Sequence, residues 1–363
     1  MTFYKNKGFI KIFCSITLLA IMLSGLLLVH GADDTQNVES RYQLKEYVDT
    51  SKSLQKMQYR LYIPDDYNES IAYPLVIFLG GAGQNVGDQV EESEDSNKYI
   101  DSSLLANGND KKYPCIILVP LLPVDYYWVD NFFGEISPGL DLTMGMIDSI
   151  CQEYSVDQRK IYITGLCFGA NGTWDILFRY PKKFAAGVPV AGIGPSALAS
   201  KISDVPVWLF NSDSDSSVPV SESRGMAEAL SKAGNTKIRY TEYNNYTHIE
   251  TTVAAFWNND LFPWMFSQTN TNAPFPDGKV PVEIAEEDLV MENPHNGEVN
   301  YEPVTAGDYD SIQDPTKSLK KSSLQIVIVL AVIIICLGLL FLLIYKKFLF
   351  RGTDVQLKKR KKE

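Results

Sequence analysis

Three side chains in this 363-residue sequence have types and settings suited to nucleophilic chemistry: Cys167, His248 and Asp215. Cys167 is the centre of Gly165-Leu166-Cys167-Phe168-Gly169, which follows an apolar, strand-like run at 160–164 and precedes the helix-like segment 172–180. A strand that turns into a helix through so short a link needs glycine on both sides, where a side chain would meet the crossing backbone. The central residue is then held in a strained conformation that exposes its heavy atom. Here that atom is sulfur. A helix start and a neighbouring imidazolium lower a thiol's pKa from ~8.5 until thiolate is populated, so the spacing points to a nucleophile.

The base follows from a short inventory. Of three histidines, His30 falls in an apolar N-terminal stretch and His295 in an acidic, proline-containing one; His248 follows the strand-like 237–243 and a polar turn at 244–247. An imidazole acting as base needs an acceptor to orient it. The strand-like run 205–210 ends in Asn211-Ser-Asp213-Ser-Asp215, which offers Asp215 and, two residues earlier, its rival Asp213. No Cys or His cluster has the spacing of a catalytic metal site and no glycine-rich loop has that of a phosphate site, so neither metal nor cofactor is expected.

These residues need a scaffold, and the chain supplies alternating elements. Strands are expected near 57–64, 74–80, 114–119, 160–165, 186–191, 205–210 and 237–243, with helices near 141–155, 170–180, 220–233 and 250–267. Such alternation gives a mostly parallel central sheet with helices on both faces, an α/β class. The polar stretch 84–110 is a long connection that either borders the site or is a solvated insertion. Cys115 and Cys151 fall in apolar patterns and read as small core hydrophobes, not as a disulfide framework.

The stretches Tyr59-Arg-Leu-Tyr-Ile-Pro64, Tyr73-Pro-Leu-Val-Ile-Phe-Leu-Gly-Gly-Ala-Gly83, Lys160-Ile-Tyr-Ile-Thr-Gly165, Gly172-Thr-Trp-Asp175 and Phe184-Ala-Ala-Gly-Val-Pro189 resemble the esterase branch of the α/β-hydrolase superfamily. That branch includes polyhydroxybutyrate-depolymerase-like and feruloyl esterases and predicted secreted peptidases. The order nucleophile, acid, histidine in this chain is the one that fold uses. The resemblance implies a Cys167–His248–Asp215 triad, an oxyanion hole from the Phe168 amide and one in the Gly81–Ala82 region, and Trp128 near the mouth of the substrate pocket. Two positions depart from the family pattern. Cys167 stands where serine is usual, as at the elbow of dienelactone hydrolases, and Gly80 stands where a histidine usually supports the oxyanion loop.

The expected activity is hydrolysis of carboxylic esters through a thioester acyl-enzyme, with small-molecule or carbohydrate-linked esters as substrates. Two alternatives are a catalytically inactive surface binding protein on the same scaffold, suggested by the paired departures at 80 and 167, and a peptidase or acyltransferase using the same triad.

The ends of the chain carry other signals. Residues 1–31, with Lys5, Lys7 and Lys11 before an apolar run, read as a signal peptide. The hydrolase domain is expected over 41–268 and a proline-rich, acidic, disordered stalk over 269–323. Residues 324–345 read as one transmembrane helix, since 326–345 contain no charge and ~20 apolar residues cross a bilayer. The tail 346–363 holds eight Lys and Arg, which assigns it to the cytoplasm and the hydrolase domain to the outside of the cell membrane. The formal charge of −11 hides an asymmetry, because residues 32–323 carry −20. A surface that acidic repels polyanions, which excludes nucleic acid as a partner and favours neutral esters.

Overall fold

The computed structural model describes residues 40–81, 103–106 and 108–292. The expected signal peptide, transmembrane helix and basic tail lie outside the described residues, as does most of the 84–110 connection. Among the described residues no helix is long and apolar enough to cross a membrane.

Nine strands form the sheet: β1 (Gln43–Val48), β2 (Lys56–Tyr62), β3 (Ile71–Leu79), β4 (Ile116–Leu121), β5 (Val156–Leu166), β6 (Ala186–Val190), β7 (Val207–Ser212), β8 (Ile238–Tyr243) and β9 (Val280–Pro281). The order is β1-β2-β4-β3-β5-β6-β7-β8, with β9 beside β3. β1 and β2 are antiparallel to their neighbours and the rest are parallel. β1 joins the expected set as an edge strand; its exposed, mixed sequence carries no apolar run to announce it.

Parallel strands covered on both faces need apolar residues at successive positions, and β3 supplies them. Leu75, Ile77 and Leu79 enter one core cluster, while Val76 and Phe78 enter the other. The first cluster holds the inward faces of α1 (Pro138–Glu153), α2 (Phe168–Arg179) and α3 (Val220–Lys232). The second holds α4 (His248–Phe256) and α5 (Leu261–Ser267). α1 starts three residues before its expected position because Pro138 occupies the first turn and the Ser137 hydroxyl accepts the Leu140 N–H. The single helix expected over 250–267 is instead α4 and α5. The break lies at Asn258–Asp260, where the Asn258 side chain accepts the Asp260 N–H in a local turn that competes with the helix.

The first part of the expected stalk, residues 269–292, does not behave as coil. Its path follows the sheet edge at the N-terminal ends of the parallel strands. Asn270 N–H donates to the Arg159 carbonyl, the Arg159 guanidinium lies 4.2 Å from the Phe275 ring centroid, and Val280–Pro281 pair with Ile71 and Ala72. Farther on, Asp288 accepts the Tyr113 hydroxyl at its carbonyl and pairs with Lys112, and Glu292 N–H donates to Asp260. Prolines and acidic residues disfavour helix and sheet interiors, yet they permit an extended segment to dock by main-chain bonds at a sheet end. The other end of the domain enters along the same edge, where Arg41 bonds Tyr62, Asp65 and Asp110.

Cutting the chain before this segment leaves the buried partners of its bonds, among them the Tyr113 hydroxyl and the Asp260 carboxylate, to find water instead. A chain ending at Gln268 is therefore expected to melt below one ending at Glu292. Equal melting temperatures by calorimetry would show that the segment contributes nothing.

Candidate active site

The link between β5 and α2 is a single residue. Cys167 has φ 53° and ψ −120°, its N–H donates to the Val190 carbonyl of β6, and its carbonyl accepts from Ala170 and Asn171. Gly169 makes the turn possible, since a Cβ there would overlap the Leu79 carbonyl, and one at Gly165 would come 2.5 Å from the Gly169 carbonyl oxygen. Only three non-glycine residues among those described have positive φ: Cys167, Ala191 and Asn245. All three lie just beyond the C-terminal ends of parallel strands, so the backbone strain is concentrated at one edge of the sheet.

The other two side chains reach that edge from neighbouring strands. Asp215 lies beyond β7, with its side chain wholly buried; Oδ1 accepts the N–H groups of Ser217 and Val218 at 2.8 and 2.9 Å. Its Oδ2 lies 2.7 Å from His248 Nδ1. His248 opens α4, where Thr247 and Glu250 form a reciprocal capping box that fixes the backbone carrying the imidazole. Asp213 does a different job. Its carboxylate accepts the Asn245 N–H at 2.7 Å, and its own N–H donates to the Tyr243 carbonyl, which clamps the turn leading into His248. The Ser212 hydroxyl accepts the Tyr246 N–H in the same turn.

Electrostatically, the imidazole is biased toward its charged form. Burial alone would lower the His248 pKa, but the hydrogen bond to Asp215 and the proximity of Cys167 outweigh it and raise the value to about 9. Nε2 is buried without a hydrogen bond of ordinary geometry, while Cys167 is near enough to raise the His248 pKa by hydrogen bonding and by charge. Burial pushes Asp215 the other way too, yet the His248 bond and the two backbone amides hold it below the usual carboxylate range. Burial raises the Cys115 thiol strongly and that of Cys151 to about 11, so both stay neutral.

The remaining expected positions divide. As the first residue of α2, Phe168 has an N–H without an intrahelical partner, available to an oxyanion. Gly81 lies against the elbow: a Cβ built on it would be 3.3 Å from that of Cys167. Ala82 lies outside the described residues. Trp128 is a correction. It is 3 % exposed, so its ring is enclosed by protein; its Nε1–H donates to the Gly80 carbonyl at 2.8 Å, and its side chain packs against Gly172. A buried indole needs such an acceptor, and at this position it braces the loop whose expected histidine is replaced by Gly80. Sequence reading missed the bracing role of Trp128, the clamp at Asp213 and the capping box. Only the last had a local signal, the Thr-x-x-Glu spacing.

A mostly parallel sheet with a strained single-residue turn between its central strand and the next helix, and with a histidine bonded to a buried aspartate at the same edge, has the architecture of the α/β-hydrolase fold. Within that class, residues 139–252 match the dienelactone hydrolase family. The chain is 28 % identical over 134 residues to poly(3-hydroxyalkanoate) depolymerase C of Paucimonas lemoignei, which covers 36 % of this chain and 30 % of that protein. A crystal structure of a thermostable esterase aligns with TM-score 0.57 and 29 % identity, covering 63 % of this chain and 64 % of its own. A ferulic acid esterase aligns at TM-score 0.46 and 16 % identity over 59 % of this chain and 95 % of its own. The chain thus spans under a third of the curated relative and just under two thirds of the thermostable esterase.

Residues 40–292 contain one histidine, so its ring protons are resolvable by NMR. The midpoint is expected near 9, to fall well below that in Asp215→Asn, and to stay within about one unit of the parent in Asp213→Asn. Because the folded value exceeds the unfolded ~6.5, His248 contributes stability that is complete below pH 6.5 and lost as pH rises toward 9. Thermal melts of His248→Gln should accordingly lose less stability across that interval than the parent; equal losses would contradict the raised value.

Proposed function

We propose that the domain hydrolyses carboxylic esters, with Cys167 as nucleophile, His248 as acid and base, and Asp215 as the group that orients and charges His248. The observation that carries this reading is the imidazole held between a buried carboxylate and the elbow sulfur, with its pKa raised by both. A raised imidazole beside the sulfur favours an imidazolium–thiolate pair, from which attack on the ester carbon requires no prior deprotonation.

In the first half-reaction the thiolate sulfur bonds to the carbonyl carbon and the oxyanion accepts from the Phe168 amide and one in the Gly81–Ala82 region. Collapse breaks the bond to the alkoxide, which leaves with the proton from His248 Nε2, and a thioester remains. Sulfur has now lost its charge. The part of the raised His248 pKa that came from Cys167 disappears with it, which returns the imidazole toward the neutral form needed for the second half. Neutral His248 takes a proton from water, the hydroxide adds to the thioester, and collapse releases the acid and regenerates the ion pair.

Mooring in a membrane is part of the same proposal. The uncharged run 326–345 and the cationic residues after it support a single span with this domain on the outer side. The acidic character of 32–323 fits neutral esters better than polyanions.

Release of p-nitrophenol from p-nitrophenyl acetate and butyrate tests the chemistry. Cys167→Ala and His248→Ala are expected to lose at least about 10³-fold in kcat. Cys167→Ser should also fall sharply, because a serine hydroxyl must give up its proton during attack whereas a thiolate has none to lose. Iodoacetamide should label Cys167 far faster than Cys115 or Cys151, with reactivity persisting well below pH ~8.5. A folded parent that matches the buffer blank on every ester would move the binding-protein reading ahead.

A further inference from the structure

Single exposed apolar side chains are ordinary on protein surfaces. A group of them around one nucleophile is a different matter. Val124, Tyr127, Phe168 and Ile249 are 49, 64, 49 and 60 % exposed, and none belongs to either core cluster. Phe168 is next in sequence to Cys167, and Ile249 is next to His248.

Helix geometry ties Tyr127 to the same place. Residues four apart share a helix face, so Phe168 and Gly172 lie one above the other on α2. Trp128 covers Gly172, its Cβ 2.9 Å from where a Cβ of residue 172 would stand, and its indole holds the Gly80 carbonyl beside the elbow. The loop carrying Val124 and Tyr127 therefore runs along the face of α2 that begins with Phe168.

Charge adds a second constraint. The described segments at this edge, 79–81, 121–129, 166–172, 190–196, 211–223 and 244–252, contain Asp125, Asp213, Asp215, Glu222 and Glu250 but no Lys or Arg, and the one cation there, the His248 imidazolium, is already paired with Asp215. A carboxylate brought there on a substrate meets an excess of like charge.

Resting on the proposed ester hydrolysis, we infer that the preferred substrates carry a neutral apolar acyl chain, which lies along Phe168 and Tyr127. The roles of the two triad partners fix the direction. The Phe168 amide holds the oxyanion, so the acyl carbon and its chain stay on the Phe168 side of the sulfur. His248 protonates the departing oxygen, so the alcohol leaves past Ile249.

The full-length protein is assayed with p-nitrophenyl acetate, butyrate and hexanoate and with mono-p-nitrophenyl succinate, whose acyl chain has the length of butyrate but ends in a carboxylate. kcat/KM should rise by up to about fourfold per methylene buried and drop at least about tenfold from butyrate to succinate. Tyr127→Ala and Phe168→Ala should flatten the chain-length preference, Phe168→Val should do so in part if the alanine variant fails to fold, and Ile249→Ala should keep it. The inference is overturned if the parent hydrolyses acetate as well as the longer esters, if succinate matches butyrate, or if the folded Tyr127 and Phe168 variants keep the parent's preference. No turnover of any ester by the folded parent would instead sink the hydrolase reading itself, and this inference with it.

Discussion

The turn from β5 to α2 is the constraint on which the rest of the site depends. The strand must stop, reverse and begin a helix across one residue, and backbone packs so closely there that Gly165 and Gly169 have no room for a Cβ. That closeness fixes the position of Cys167 relative to β3, through the Leu79 carbonyl, and relative to β6, through the Val190 carbonyl. It also sets Cys167 directly before the first amides of α2, whose N–H groups have no partner within the helix. A looser link would leave the sulfur, the oxyanion donors and the imidazole as three independent groups.

Around that turn the polar residues divide labour between charge and shape. Asp215 is buried, fully bonded and held ionised, so it can stabilise a positive imidazole at close range without titrating itself near neutral pH. Asp213, two residues away, spends its carboxylate on a backbone N–H and leaves the charge of His248 alone. Trp128 contributes no charge; one indole N–H fixes the carbonyl of Gly80 and with it the path of the loop toward Gly81.

How much of this was legible in the sequence depended on how local each constraint was. The elbow was readable because glycine, nucleophile and glycine are all within five residues, and the parallel strands were readable because both their faces are apolar. His248 could be reached by elimination. The choice between Asp213 and Asp215 could not, since two carboxylates two residues apart in a loop are separated only by turn geometry that backbone N–H groups impose. Trp128 was assigned to a pocket because an aromatic's direction is a tertiary property, and the composition around it does not reveal that Gly172 and Gly80 leave a slot for the indole. The segment 269–292 was hidden for a related reason: an extended strap docking by single bonds at a sheet end has no periodicity to detect.

The strap has a geometric consequence. Parallel strands give a sheet two unlike ends, and here the chain enters by Arg41 and departs by Glu292 at the end where the strands begin, while Cys167 and His248 sit where they finish. A load joined to either terminus pulls on the rear of the particle and leaves its front clear. Built in this way, the domain can be leashed at its back while the strand ends that carry Cys167 and His248 face something far larger than itself.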